Sequence, residues 1–293
     1  MTTPHPRLSI NQATIKYTTV AQAIDVVSAA GIQSIGLWRE QVQEAGLNES
    51  VKMIADSGLR YSTHCRGGWF TAEPGPARQA ALNDNRVAID ETAALAAAGA
   101  AGSKAALVIV VGGLPEGSRD IVGARERVRD AVATLAPHAE ANGVQLALEP
   151  LHPMYCSDRA VLSTLDQALD IAADFAPEVV GVTVDTFHLW WDPDVFDKVA
   201  RAGREGRIAS YQVCDWKTPL AADVLLSRHY PGDGVIDFAA FTKAVEATGY
   251  TGDVEVELLS QEIWDTDPAE AVRRTIDGFE RAVAPFLSNT PVS

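Results

Sequence analysis

The chain has 293 residues, 47% of them hydrophobic and 22% charged, which is enough apolar sequence for a large buried core and too much for a disordered chain. Its 39 Asp and Glu outnumber 24 Lys and Arg, and the formal net charge of -15 argues against general binding to phosphate backbones or anionic lipid. The three cysteines, Cys65, Cys156 and Cys214, are too few and too scattered for a disulfide framework or a zinc ribbon, and they fit a reducing compartment.

Short apolar or β-branched runs alternate with longer stretches of helical spacing along the whole chain. A strand is predicted over 8–16 and a helix over 19–30, then a strand over 34–38 and a helix over 42–57. The Gly31 and Gly58 that follow supply helix stops. A third strand over 61–65 runs into a loop rich in Gly and Pro, followed by an Ala-rich helix over 77–98. Strand 106–111 pairs with helix 118–141, strand 144–149 with helix 164–174, and strand 180–185 with helix 193–202. Strand 208–214 is followed by a long loop, 215–237, and a helix over 238–248. The last unit is strand 254–259 and helix 268–285.

Eight strand–helix units with almost continuous apolar strands predict a parallel sheet covered by helices, and eight is the number that closes a (β/α)8 (TIM) barrel. An open doubly wound sheet is the other arrangement, but no G-x-G-x-x-G follows the first strand and no Walker loop is present. With no linker in view, residues 1–293 are expected to form one barrel domain, with a short lead over 1–7 and a tail over 286–293. No basic stretch leads an apolar run at the N-terminus, and the longest apolar run, 105–111, is far short of the roughly 20 residues of a membrane span. A soluble, cytoplasmic protein is expected.

In such a barrel the active site lies where the strands end. Strand five ends in Glu149 and strand six in Asp185. Strand seven carries Gln212 and Asp215, and strand eight carries Glu255 and Glu257. Acids that close apolar strands converge on one axis and repel each other unless a cation or protons compensate them. Oxygen donors of this kind suit a hard divalent cation, Mn²⁺ or Mg²⁺. The plainer alternative is that each acid caps a helix or pairs with Lys or Arg.

Three segments carry a family likeness: Leu-Ala-Leu-Glu149-Pro-Leu-His152-Pro, Val-Asp185-Thr-Phe-His188, and Gly232-Asp-Gly-Val-Ile-Asp237 leading to Gly249-Tyr-Thr-Gly-Asp-Val-Glu-Val-Glu257. In order and separation they resemble the sugar-phosphate isomerase/epimerase superfamily, the xylose-isomerase-like barrels, over essentially residues 8–284. The resemblance implies a metal held by Glu149, Asp185, Gln212 and Glu257, with Glu149 and Glu257 also the acid/base pair. Gln212 stands where relatives usually place a histidine. It either favours Mn²⁺ or Mg²⁺ over Zn²⁺ or marks a site that has lost its metal. Glu255 also points inward by the period of two but one layer deeper, so Glu257 is the preferred ligand.

The implied chemistry is proton transfer on a carbon next to a carbonyl, through an enediolate stabilised by the metal. By the same resemblance, His188 contacts substrate oxygens and Arg228, in the long loop, holds sugar oxygens or phosphate; Arg66 after strand three is a similar candidate. His152 is a substrate contact or an orienting residue, and Trp38 is one of six tryptophans near strand ends that suit stacking on a sugar face. Tyr155 occupies a position where ketose epimerases carry a further glutamate. The expected partner is a small sugar or polyol, and family members are often homo-oligomers. Alternatives on the same scaffold are a lyase or dehydratase of the inosose dehydratase or C-glycoside-cleaving kind, an apurinic-site endonuclease, and a polyol-binding barrel without catalysis.

Overall fold

The structure is a computed structural model that describes residues 3–288 and 292. Seven strands come first: β1 (Leu8–Asn11), β2 (Ser34–Trp38), β3 (Arg60–Gly68), β4 (Ala106–Val110), β5 (Gln145–Leu148), β6 (Val180–Asp185) and β7 (Ile208–Val213). A two-stranded antiparallel ribbon follows, β8 (Asp215–Trp216) with β9 (Arg228–His229), and then β10 (Val254–Val256). The barrel closes in the order β1-β10-β7-β6-β5-β4-β3-β2, with every pair parallel. This is the eight-stranded barrel that the alternation predicts; the open-sheet alternative is excluded.

The outer helices bury one apolar face each. Helix Val20–Ala29 starts where expected because Thr19 and Gln22 form a reciprocal capping box, and it buries Val20, Ala23, Ile24 and Val27. The long helix Pro76–Ala98 opens on proline, whose missing N–H costs nothing in the first turn.

Several boundaries differ from expectation for local reasons. The first strand stops at Asn11, whose side chain accepts from Ala13 N and starts a 3-10 turn, Gln12–Ile15. The helix expected over 42–57 is two helices, Arg39–Ala45 and Leu47–Ser57, broken at Gly46 with φ 85°. The loop expected over 215–237 contains the ribbon, pinned by Asp215. This carboxylate accepts from the backbone N–H groups of Trp216, Gly232, Gly234 and Ile236 at 2.7–3.1 Å.

The lead ends in Arg7, fully buried, which donates to Gly252 O and Tyr250 O and pairs with Glu246. Of the expected tail, Phe286 closes a 3-10 turn and Ser288 N donates to Glu246, while residues 289–291 and 293 lie outside the described residues. Among the described residues no helix is long and apolar enough to cross a membrane.

Candidate active site at the carboxyl ends of the strands

Strand register decides which side chains meet. Asp185, Gln212 and Glu255 lie side by side across β6, β7 and β10. Glu149 directly follows β5 and Glu257 directly follows β10. All five are 1–5% exposed.

They separate into two levels. Glu255 lies in the lower one, where its carboxylate accepts from Asn11 Nδ2 (2.8 Å), Gln212 Nε2 (2.9 Å), Thr63 Oγ1 (2.9 Å) and Ser62 Oγ. Gly36 makes room for it: a Cβ there would run into Glu255 Oε2 and sit 2.8 Å from Thr63 Oγ1. Glu255 therefore anchors a polar layer inside the barrel, and its oxygens are fully used. This matches its expected position one layer below Glu257.

The upper level holds Glu149, Asp185 and Glu257 around the guanidinium of Arg228. Arg228 Nη1 is 2.9 Å from Asp185 Oδ2 and 3.1 Å from Glu257 Oε2, and Nη2 is 2.9 Å from His188 Nε2. The guanidinium lies 4.7 Å over the Phe187 ring and is 3% exposed, so Arg228 is no surface charge. Because arginine only donates, His188 Nε2 accepts. The His152 backbone N–H also points at His188 Nδ1 from 3.3 Å; with a single proton, the neutral ring can accept fully from only one of these donors. Burial, followed by the Arg228 charge, lowers the His188 pKa well below its ordinary value and keeps the ring neutral.

Burial and mutual repulsion act in the opposite sense on the acids. Glu149 is pushed well above the usual carboxylate range by burial and by Asp185 and Glu257. Burial also raises Asp185 against the pull of Arg228. Glu257 is raised by burial to about 7, with Arg228 opposing and Asp185 and Glu255 adding. Three carboxylates against one guanidinium leave an excess of two negative charges when all are ionised, so protons or a cation must enter this site.

The donor set fits a divalent cation. Glu149 Oε1 and Gln212 Oε1 are buried oxygens without a hydrogen bond, and Asp185 Oδ2 faces Arg228 Nη1 at 2.9 Å and His188 Nε2 at 3.9 Å. Ligand atoms of Glu149, Asp185 and His188 lie within 4.8 Å of one another. His188 thus stands among the potential ligands as well as the candidate substrate contacts. Its neutral state was the property hidden from the sequence, because it depends on burial in the folded barrel and then on Arg228, 40 residues away.

Above the acids opens a cavity of about 360 Å³. Glu149, Glu257, His188, Arg228, Arg66 and Trp38 line it; Asp185 and Gln212 lie behind them, and His152 does not reach its wall. His152 instead packs edge-on to Trp191 and at 5.2 Å from Trp216. Trp69 and Trp264 also face the cavity, whereas Trp190, Trp191 and Trp216 pack beside it around His152 and Phe187. Tyr155 is buried edge-on against His188, 5.7 Å between rings, and is not on the wall. Burial raises the thiols of Cys65 and Cys214 well above their ordinary pKa, as suits spacers.

A closed parallel barrel with an acid-lined mouth is a recurring enzyme scaffold, and comparison with known proteins identifies which one. The family described as xylose isomerase-like TIM barrel matches residues 24–282. The chain belongs to this family.

A crystallised protein from Sinorhizobium meliloti 1021 is 42% identical, with 94% of this chain and 98% of that one aligned at a TM-score of 0.89. The inosose isomerase of Bacillus subtilis (strain 168) is 28% identical over 145 residues, 49% of this chain and 50% of that protein. The 3-dehydroshikimate dehydratase of Pseudomonas putida (strain KT2440) is 30% identical over 148 residues, 48% of this chain but 22% of that protein. The matched segments thus span half or less of these two relatives.

Proposed function

We propose that the protein is a divalent-metal-dependent isomerase or epimerase of a sugar, sugar phosphate or related polyol ketone, acting from one barrel domain. One observation carries the proposal: three buried carboxylates, with Gln212 paired beside one of them, gather beneath a cavity that opens at the carboxyl ends of the strands. Glu149, Asp185, Gln212 and Glu257 would hold the cation, with His188 within reach, and Mn²⁺ or Mg²⁺ suits this oxygen-rich set. Bound there, the metal would supply charge stabilisation for an enediolate oxygen.

The protein's own groups supply the proton transfers. Glu149 and Glu257 flank the cavity from β5 and β10, which lie three positions apart around the barrel. One carboxylate takes the proton from the carbon beside the carbonyl, and the C–H electron pair moves into the new C=C bond as the carbonyl π pair moves onto oxygen. The acid form of one of the pair returns a proton, either to the neighbouring carbon, while the hydroxyl proton passes to the former carbonyl oxygen, which moves the carbonyl, or to the opposite face of the first carbon, which inverts the centre. Arg228 and neutral His188 orient substrate oxygens, and Trp38 covers an apolar sugar face.

A second reading shares the first proton abstraction but then expels a β-hydroxyl as water. The similarity to a 3-dehydroshikimate dehydratase over 148 residues supports it. Proton NMR in D₂O on the Mn²⁺-loaded protein, with inosose, a ketose series and 3-dehydroshikimate, separates the two. Deuterium at carbon with mass otherwise conserved supports the isomerase or epimerase; loss of water supports the lyase. Absence of carbon-bound exchange with every substrate, or turnover retained in both Glu149→Gln and Glu257→Gln, refutes the shared mechanism.

A further inference from the structure

The cavity is electrically lopsided. Its acidic wall residues are Glu149, Glu257 and Asp223. The first two belong to the buried cluster, and Asp223 is engaged by Arg159 at 3.3 Å. The side built from the carboxyl ends of β1, β2 and β3 and the segments that follow them contributes Lys16, Trp38, Gln41, Arg66 and Trp69, with no acid among them.

Among the described residues two cations on that side form no ion pair, although the Arg66 charge bears on Glu149 from beyond that distance. The Arg66 guanidinium lies 5.1 Å from the Trp69 ring and 5.8 Å from the Trp38 ring. Lys16 Nζ lies 4.3 Å over the Trp264 ring. Among the described residues neither has a carboxylate within ion-pair distance, although the chain carries 39 Asp and Glu. Stacking on indole fixes both cations in place and leaves their N–H groups free to donate.

The platform itself is built at a conformational cost. Trp69 is 46% exposed yet is held at φ 65°, a left-handed conformation rare for a large side chain. The preceding Gly68, at φ 127°, lies so close to the Val110 carbonyl that no Cβ could be accommodated. Packing demands neither an exposed indole nor an unpaired arginine over it. Strain kept at a cavity rim points to binding.

We infer that Arg66 and Lys16 form an anion subsite at the cavity rim, so that the substrate is a hydroxy-carbonyl compound bearing a carboxylate or phosphate at the end remote from the reacting carbon. The inference rests on the proposed use of the acid cluster, because the acids would take the carbonyl end and the rim the anionic end. Arg228, pinned between Asp185 and Glu257, has no free charge to offer a second anion.

The test is calorimetric binding of three ligands that share a six-carbon polyol chain: D-sorbitol, D-gluconate and D-sorbitol 6-phosphate. The full chain is used twice, loaded with Mn²⁺ and stripped of metal then desalted. One anionic ligand is expected to bind at least about fivefold tighter than sorbitol in low salt, and the ratio should fall in 0.5 M NaCl. Preference for gluconate identifies a carboxylate, and preference for the phosphate ester a phosphate. The Arg66→Gln/Lys16→Gln double variant should lose that ratio, with the anionic ligand weakened more than sorbitol, and Arg66→Lys should recover part of it. A ratio below fivefold for both anions, including no binding of any ligand, overturns the subsite, as does a ratio that survives the double variant. Failure of Mn²⁺ to bind would strike the metal reading alone, since the anion ratio is also read on metal-free protein.

Discussion

Glu255 and Glu257 are two residues apart on one strand, and contrasting substitutions at Glu255 test whether it is structural. Its carboxylate collects four side-chain donors. In Glu255→Leu not all four are orphaned. Ser62 can turn to Ser9 Oγ, 2.8 Å away, and Thr63 can rotate its hydroxyl. The two amides cannot adapt so readily. Asn11 is fixed because its Oδ1 already accepts from Ala13 N and Trp38 Nε1, and Gln212 keeps its NH₂ against the vanished carboxylate. Two buried amide donors left unsatisfied cost about 1–3 kcal/mol each, so Glu255→Leu should lose roughly 4 kcal/mol. Glu255→Gln keeps an acceptor for both amides and removes a buried charge whose pKa is raised by burial despite the four donors. It should cost about 1 kcal/mol or less. Urea unfolding of both variants in chelator, with metal content by plasma mass spectrometry, decides the matter. Equal large losses in both, or loss of metal in Glu255→Gln, would mean that the charge of Glu255 is required and that Glu257 was wrongly preferred as ligand.

Other perturbations follow from the same geometry. In chelator-treated protein the folded-state pKa of Glu257 is raised from 4.5 to about 7, so its stabilising contribution is complete below pH 4.5 and is lost as pH rises towards 7. Stability from urea unfolding should therefore fall over that window, by at most about 3.4 kcal/mol, and Glu257→Gln should flatten the profile. Arg228→Met leaves three buried carboxylates without a cation and should cost about 3–5 kcal/mol at pH 8, less at pH 5.5, where the acids take up protons; an equal cost at both values would refute the ion-pair account. At Glu91 burial alone would raise the pKa, but hydrogen bonds from His64 and Arg39 and the Arg39 charge outweigh it and hold it at about 2. Its stabilising effect is present above pH 4.5 and lost as pH falls towards 2, so the melting-temperature gap between wild type and Glu91→Gln should close across that range. Gly68→Ala should unfold the protein or cost more than about 3 kcal/mol, read as soluble yield and urea midpoint, because the Val110 carbonyl leaves no room for a methyl group.

The barrel was legible because each strand is a short apolar run and each helix a longer periodic one; strands 34–38 and 180–185 match the sequence reading to the residue. Boundaries failed where a side chain or a glycine intervened. Asn11 ended β1 by capping its own turn, and Gly46 split a helix whose apolar spacing continues across the break. At the site, strand-end position was enough to nominate Glu149, Asp185 and Glu257. It could not foretell the two levels, because the separation of Glu255 from Glu257 depends on Asn11, Ser62 and Thr63 from two other strands. Nor could it place His152, which sits three residues after Glu149 but turns away to pack on Trp191 and Trp216.

Gln212 is the residue whose meaning changes most between sequence and structure. In sequence it is a departure from the histidine usual in relatives, and so a ground for doubting the metal. In the barrel its NH₂ is spent on Glu255 and its Oε1 is left buried without a partner. Histidine there could not do the same work for Glu255 unless it kept a ring N–H for the carboxylate and turned its other nitrogen to the site. An amide has these two faces fixed chemically, donor on one side and acceptor on the other, at every pH. Buried acceptors are seldom left empty, because each costs about 1–3 kcal/mol. In the proposed site that oxygen would be a ligand for a hard cation, which gives a use to an unpaired acceptor on the strand next to Asp185.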